Sequence, residues 1–77
     1  MFKIQIEKIQ ELDDAIVPNN IPVNNVYTGV FVQHPIEGYS FVLKREKGNF
    51  ITSIVTKIID LNTFQTLNSV YKLTMLE

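Results

Sequence analysis

Residues 50–59, Phe-Ile-Thr-Ser-Ile-Val-Thr-Lys-Ile-Ile, constrain this chain more than any other stretch. A half-buried strand alternates apolar and polar residues because successive side chains point to opposite faces of the sheet. Here one parity carries Phe50, Thr52, Ile54, Thr56 and Ile58, and the other carries Ile51, Ser53, Val55, Lys57 and Ile59. Both faces are largely apolar, so both need cover. In a chain of 77 residues the second cover is expected to come from another subunit.

Length supports that expectation. A chain of this size makes one domain, residues 1–77, and buries only roughly 60–65% of its unfolded surface. Such domains add disulfides, a metal or oligomerisation to a marginal core. The chain has no cysteine and one histidine, His34, which excludes disulfides and thiolate metal sites. A zinc site on one histidine would need several carboxylates. Oligomerisation is the remaining device, and a hydrophobic content of 45% fits it. No cofactor is implied.

The net charge of −1 argues against a non-specific coat for nucleic acid and against a duplex footprint. The charge is unevenly spread. Residues 1–38 hold two lysines against five acids, and residues 39–77 hold five basic groups against three acids. The C-terminal half can therefore receive a small anionic ligand. Met1-Phe2-Lys3 opens directly into an alternating pattern with no continuous apolar run, so neither a leader nor a membrane span is expected. The lack of cysteine fits a cytoplasmic location.

Phe2, Ile4 and Ile6 alternate with Lys3, Gln5 and Glu7, which predicts a strand over residues 2–9. Ile6, Ile9, Leu12 and Ile16 also have near-helical spacing, which keeps a helix open for residues 2–16. A short helical turn over residues 10–15 could follow the strand. Pro18, Pro22 and the pairs Asn19-Asn20 and Asn24-Asn25 predict an irregular loop lying on the body of the domain. Further strands are predicted over residues 26–34, 39–45 and 50–59. The turns Pro35-Ile36-Glu37-Gly38 and Glu46-Lys47-Gly48-Asn49 join them as a meander. Residues 64–67 and 70–76 form two strands, or one strand broken at Asn68-Ser69. The predicted fold is an all-β single domain, a small antiparallel barrel or strongly bent sheet of about five strands. Tyr27, Phe31, Tyr39, Phe41, Phe50, Phe64 and Tyr71 mostly fall on apolar parities, which places them in a core or interface rather than on a stacking platform.

Polar residues embedded in the apolar C-terminal half are the candidate ligand contacts. Thr52 and Ser53 interrupt one strand, and Thr66, Asn68, Ser69 and Tyr71 punctuate the next segment. Neutral hydroxyls and an amide supply donors and acceptors to a neutral or anionic ligand. The competing reading is structural: threonine pairs are ordinary sheet chemistry, and Asn68-Ser69 suits a turn. Arg45, in Lys44-Arg45-Glu46-Lys47, can hold a phosphate or carboxylate with two parallel hydrogen bonds, or can simply sit on a solvated hairpin tip. His34 has no sequence pattern of Ser, Cys or Asp to make it a general base. Glu11, Asp13 and Asp14 lack the spacing of a calcium loop. No glycine-rich phosphate loop, nucleophile elbow or metal motif is present, so a non-enzymatic protein is expected.

The spacing Thr52-Ser53-x-Val55-x-x-Ile58 followed by Thr66-x-Asn68-Ser69-x-Tyr71-x-Leu73 resembles a pattern in short proteins of phages and prophages. It covers about the last third of the chain. The resemblance implies a phage-type counter-defence role, in which small oligomeric proteins sequester nucleotide signals. The leading expectation is a homo-oligomeric binding protein for a small anionic ligand, with Thr52, Ser53, Asn68, Ser69 and Tyr71 as polar contacts and Arg45 as the charge. The alternatives are an adaptor or inhibitor of a host protein, acting through a sheet edge or apolar patch, and an SH3- or OB-like nucleic-acid module.

Overall fold

The structure, a computed structural model, describes residues 2–12, 22–31 and 33–76. It is all-β, with six strands among the described residues: β1 Phe2–Glu11, β2 Val26–Phe31, β3 Ser40–Leu43, β4 Phe50–Asp60, β5 Thr63–Thr66 and β6 Ser69–Met75. The sheet order is β2-β1-β6-β5-β4-β3, and every ladder is antiparallel. Taken around a ring, that order is the chain order itself. The molecule is an up-and-down meander whose first and last strands pair along Ile4–Glu11 and Ser69–Met75. The ring closes between β2 and β3 through one isolated bridge, in which Val30 N donates to Lys44 O at 2.9 Å and Lys44 N donates to Val30 O at 2.8 Å. An even strand number lets such a ring close antiparallel throughout, which removes most exposed edges.

The meander differs from expectation at this closure. β2 ends at Phe31 and β3 begins at Ser40, so the two do not form the hairpin predicted from residues 26–34 and 39–45. The connection between them is bound to β4 instead. Gly38 N donates to Val55 O at 2.9 Å, and Val55 N donates to Tyr39 O at 3.0 Å. Tyr39 N closes the preceding turn onto Ile36 O at 3.1 Å. Gly38 holds φ at 92° there, a value that suits the third position of such a turn and that glycine adopts without strain. Tyr39, expected with Phe41 in a core or interface, is left on this turn and is exposed, while Phe41 and Leu43 are buried.

At the same closure Gly29 permits a close crossing of β2 and β3. A Cβ added to it would lie 2.6 Å from Lys44 O and 2.9 Å from Leu43 Cγ. This approach is open only to a residue without a side chain.

β1 settles the strand-or-helix alternative for the N-terminus. Ile4, Ile6 and Lys8 share the inward parity and are all buried. The register with β6 then slips between Lys8 and Gln10, leaving Ile9 as a bulge, and pairing resumes to Glu11. The bulge leaves Ile9 exposed while Ile6 is buried, so their near-helical spacing marks no shared face. It also makes Gln10 and Glu11 strand residues rather than the start of a helical turn. Asp13, Asp14 and most of the predicted proline loop lie outside the described residues. The end of that loop is a turn in which Asn25 N donates to Pro22 O at 3.2 Å, with Asn24 at φ 73°.

The interior is filled largely by aromatic rings. Phe31, Phe41, Phe64, Tyr71, Phe50 and Tyr27 form a continuous chain of contacts, with successive centroids 6.2, 5.3, 5.6, 6.0 and 4.8 Å apart. Each such pair contributes about 0.5–1.5 kcal/mol beyond area burial. Ile4, Ile6, Leu43, Val55 and Leu73 pack against this chain.

β4 is irregular, and this overturns the simple parity reading of residues 50–59. Ser40 pairs Ile54 but Val42 pairs Ile51, so β4 carries one extra residue opposite Phe41. Further slips lie between Val55 and Lys57 and between Ile58 and Asp60. The first bulge inverts the alternation, so that Phe50, Thr52 and Val55 are buried while Ile51 and Ile54 face outward. Among the described residues no helix is long and apolar enough to cross a membrane.

Candidate functional site

Thr52 and Ser53 sit at the β4 bulge. Thr52 is buried, and its Oγ1 accepts a 2.9 Å hydrogen bond from Phe41 N, standing in for a backbone acceptor that the bulge has displaced. The same hydroxyl donates to Ser53 O at 2.7 Å. Thr56 serves the next slip similarly, donating to Gln65 O at 3.3 Å. These threonines repair a ladder, which is the structural alternative in the sequence reading. Thr52→Val is therefore expected to lower stability by about 1–3 kcal/mol by orphaning a buried N–H. Thr52→Ser keeps the acceptor and should lose much less. Thermal melts of the two variants check this; equal melting temperatures would refute the repair role.

Asn68 and Ser69 lie at the β5–β6 turn, where one hydroxyl organises the backbone. Thr66 Oγ1 accepts from Asn68 N and Ser69 N, both at 3.2 Å, and donates to Ser69 O at 3.3 Å. Ser69 Oγ donates to Glu11 Oε2 at 3.1 Å, and the same carboxylate oxygen pairs with Lys8 Nζ. The Lys8 hydrogen bond, aided by the Ser69 hydroxyl and the Lys8 charge, holds the Glu11 carboxyl below its usual range against the opposing effect of desolvation. Asn68 Oδ1 and Ser53 Oγ are buried with no hydrogen-bond partner among the described residues. Tyr71 belongs to the core: it is 2% exposed and lies between Phe64 and Phe50.

Lys8 was not among the sequence candidates. Its signal was present, because it shares the parity of Ile4 and Ile6 and so places an ammonium group at an inward position. A buried lysine needs a counter-charge, and the Ile9 bulge brings Glu11 to it.

Arg45 lies apart from these groups. It lines a surface groove of about 380 Å³ that runs over the β2–β3 closure, with Lys3, Thr28, Gly29, Val30, Lys44, Glu46 and Lys47. Four cations meet one acid in this groove. The Arg45 guanidinium carbon lies 4.9 Å from the centroid of the Tyr27 ring, which is stacked on Phe50. Tyr27 Oη in turn accepts from Asn25 Nδ2 at 3.0 Å. The cation is thus seated on a ring whose other contacts run into the core. Of the sequence-predicted contacts, only Arg45 lines this groove. Thr52, Ser53, Asn68, Ser69 and Tyr71 do not.

His34 borders two other depressions. One, of about 480 Å³, is lined by Ile36, Tyr39, Phe41 and neighbours, and the other, of about 260 Å³, by Pro35, Ile58, Leu61 and Phe64 among others. Its ring meets Phe31 edge-on at 5.1 Å. A general base needs an orienting partner, and no carboxylate or hydroxyl pairs with His34 among the described residues.

No protein-family model, curated protein or solved structure matches this chain.

Proposed function

We propose that this chain is a non-enzymatic binding protein that holds a small anionic ligand, of nucleotide type, in the groove over the β2–β3 closure, and that it works as a homo-oligomer in the cytoplasm. The observation that supports this is the gathering of Lys3, Lys44, Arg45 and Lys47 around one groove in a chain of net charge −1. Lysine ammonium groups supply point charge to a phosphate, and a guanidinium adds two directed hydrogen bonds. Because Arg45 already rests on Tyr27, less side-chain freedom is lost when it grips a ligand. The likeness of the C-terminal third to short phage proteins points to a counter-defence protein that sequesters a nucleotide signal.

Calorimetric titration with ATP, with a cyclic dinucleotide and with adenosine tests the reading. The phosphorylated compounds should bind and adenosine should not, with affinity falling as salt rises. Lys44→Ala combined with Arg45→Ala should weaken binding on the order of tenfold to a hundredfold. Absence of binding to any phosphorylated compound, or an unchanged affinity in the double variant, would overturn it. A single-stranded oligonucleotide binding far more tightly than ATP would favour the nucleic-acid module instead.

A further inference from the structure

Among the described residues, the outer edge of β4 is open beyond Val55. β3 pairs with β4 only as far as Ile54, and the turn at Gly38 and Tyr39 supplies partners for Val55. From Thr56 to Asp60, β5 occupies one edge, and among the described residues no backbone group occupies the other. The segment around His34 and Pro35 leaves a depression of about 260 Å³ beside this edge, with the buried Phe64 among its lining residues. The β4–β5 hairpin also displays Ile58, Ile59 and Leu61, the last 92% exposed.

An open, apolar strand edge recruits another strand, and natural proteins commonly block this with bulges and a charged residue. β4 has the bulges, and Lys57 is the charge. Yet the sequence Lys57-Ile58-Ile59-Asp60 is antisymmetric in charge about its own midpoint. We propose that a second copy of this chain pairs with this edge, strand to antiparallel strand, about a two-fold axis between Ile58 and Ile59.

In that register Lys57 faces Asp60 of the partner subunit, and Ile58 faces Ile59 of the partner subunit. The two-fold repeats both pairs, so the contact is self-complementary. Opposite charges and apolar residues set directly across a ladder are both favourable. Slipping the axis by one residue separates the lysine from the aspartate, and parallel pairing sets lysine against lysine. The charges that discourage an unrelated strand therefore select one register of self-pairing. This inference rests on the homo-oligomer part of the proposed function and identifies its surface; it is independent of the anion groove.

The test is the mass in solution, by light scattering on a sizing column over a range of protein concentrations, with circular dichroism to confirm folding. The wild-type chain should run at twice its 8.9 kDa. Lys57→Asp should weaken association at least tenfold, to the monomer at working concentrations. Lys57→Asp combined with Asp60→Lys should restore the dimer. Asp60 Oδ1 also accepts from Asn62 N at 2.8 Å in the hairpin turn, so should Asp60→Lys unfold the hairpin, Lys57→Asp alone decides. A wild-type monomer at every concentration would overturn the oligomer reading and this inference together. A wild-type oligomer indifferent to Lys57→Asp would overturn this inference alone, as would a folded double variant that stays monomeric.

Discussion

Val55→Asp is expected to unfold the protein, whereas Ile54→Asp is expected to leave it folded with nearly the wild-type melting temperature. The two residues are adjacent, both apolar and both in β4, but Val55 is 1% exposed and Ile54 is 45% exposed. Replacing Val55 removes a buried side chain worth about 1.5–3 kcal/mol. It also places a carboxylate among aromatic rings, at an effective penalty of several kcal/mol. A domain of this length holds a margin of only about 4–12 kcal/mol, at roughly 0.05–0.15 kcal/mol per residue. The backbone of Val55 also carries both hydrogen bonds to the Gly38–Tyr39 turn, so any shift of this segment to hydrate the carboxylate strains the connection that shapes the barrel closure. Far-UV circular dichroism and thermal melts of the two variants give the answer. Equal behaviour of the pair would refute the bulge that inverts the alternation between Thr52 and Val55.

Gly29→Ala is expected to open the barrel at its weakest closure. The added methyl group would meet Lys44 O at 2.6 Å and Leu43 Cγ at 2.9 Å, and the first of these is backbone, which cannot step aside cheaply. Relief requires β2 and β3 to separate, and among the described residues only the Val30–Lys44 bridge joins them. Overpacking of this kind costs about 1–3 kcal/mol. At about 4–8 °C per kcal/mol for a domain of this size, the melting temperature should fall by roughly 5–20 °C. Amide exchange should report the same event locally, with protection lost at Val30 and Lys44 before the rest of the sheet. Because Gly29 and Val30 line the basic groove, phosphate-compound affinity should fall as well. Unchanged melting together with retained protection at those two amides would show that the strands do not cross as closely as described.

These two residues also mark how far the sequence could be read. Alternation in Phe2–Ile6, the turn residues at Gly38 and Asn24, and the apolar parities of the aromatic residues were sufficient to predict an all-β meander. The structure has those features, with six strands where about five were expected. What alternation could not reveal were the bulges at Ile9 and in β4. A bulge adds one residue to one strand of a pair, and its signature is a partner's register rather than a local composition. Each bulge reverses the parity that follows it, so Ile54 and Val55 exchanged roles. Thr52 was legible as a buried polar group but not as a substitute acceptor, because its partner, Phe41 N, lies on another strand.

The candidate site was legible in the same partial way. The charge of the second half and the cluster around Arg45 were visible in the chain, and Arg45 lines the basic groove. Lys3, far away in sequence, joins it only because Lys3 pairs Val30, and Val30 bridges to Lys44. Thr52 and Ser53 on β4 and Asn68 and Ser69 at the start of β6 would converge only if β4 and β6 were neighbours, and β5 stands between them. These side chains instead divide between a bulge repair and a turn tied to Glu11 and Lys8.

By itself, then, the sequence determined the class of the fold and the residue types available to a site. Periodicity and turn chemistry are local properties, carried by a few consecutive residues. Only the tertiary structure decided which apolar residues face inward along β4, that the barrel closes by a single bridge at a glycine, and that four cations share one groove. Those outcomes depend on register between strands distant in the chain. Register is set by how all six strands satisfy their backbone hydrogen bonds together around one packed core.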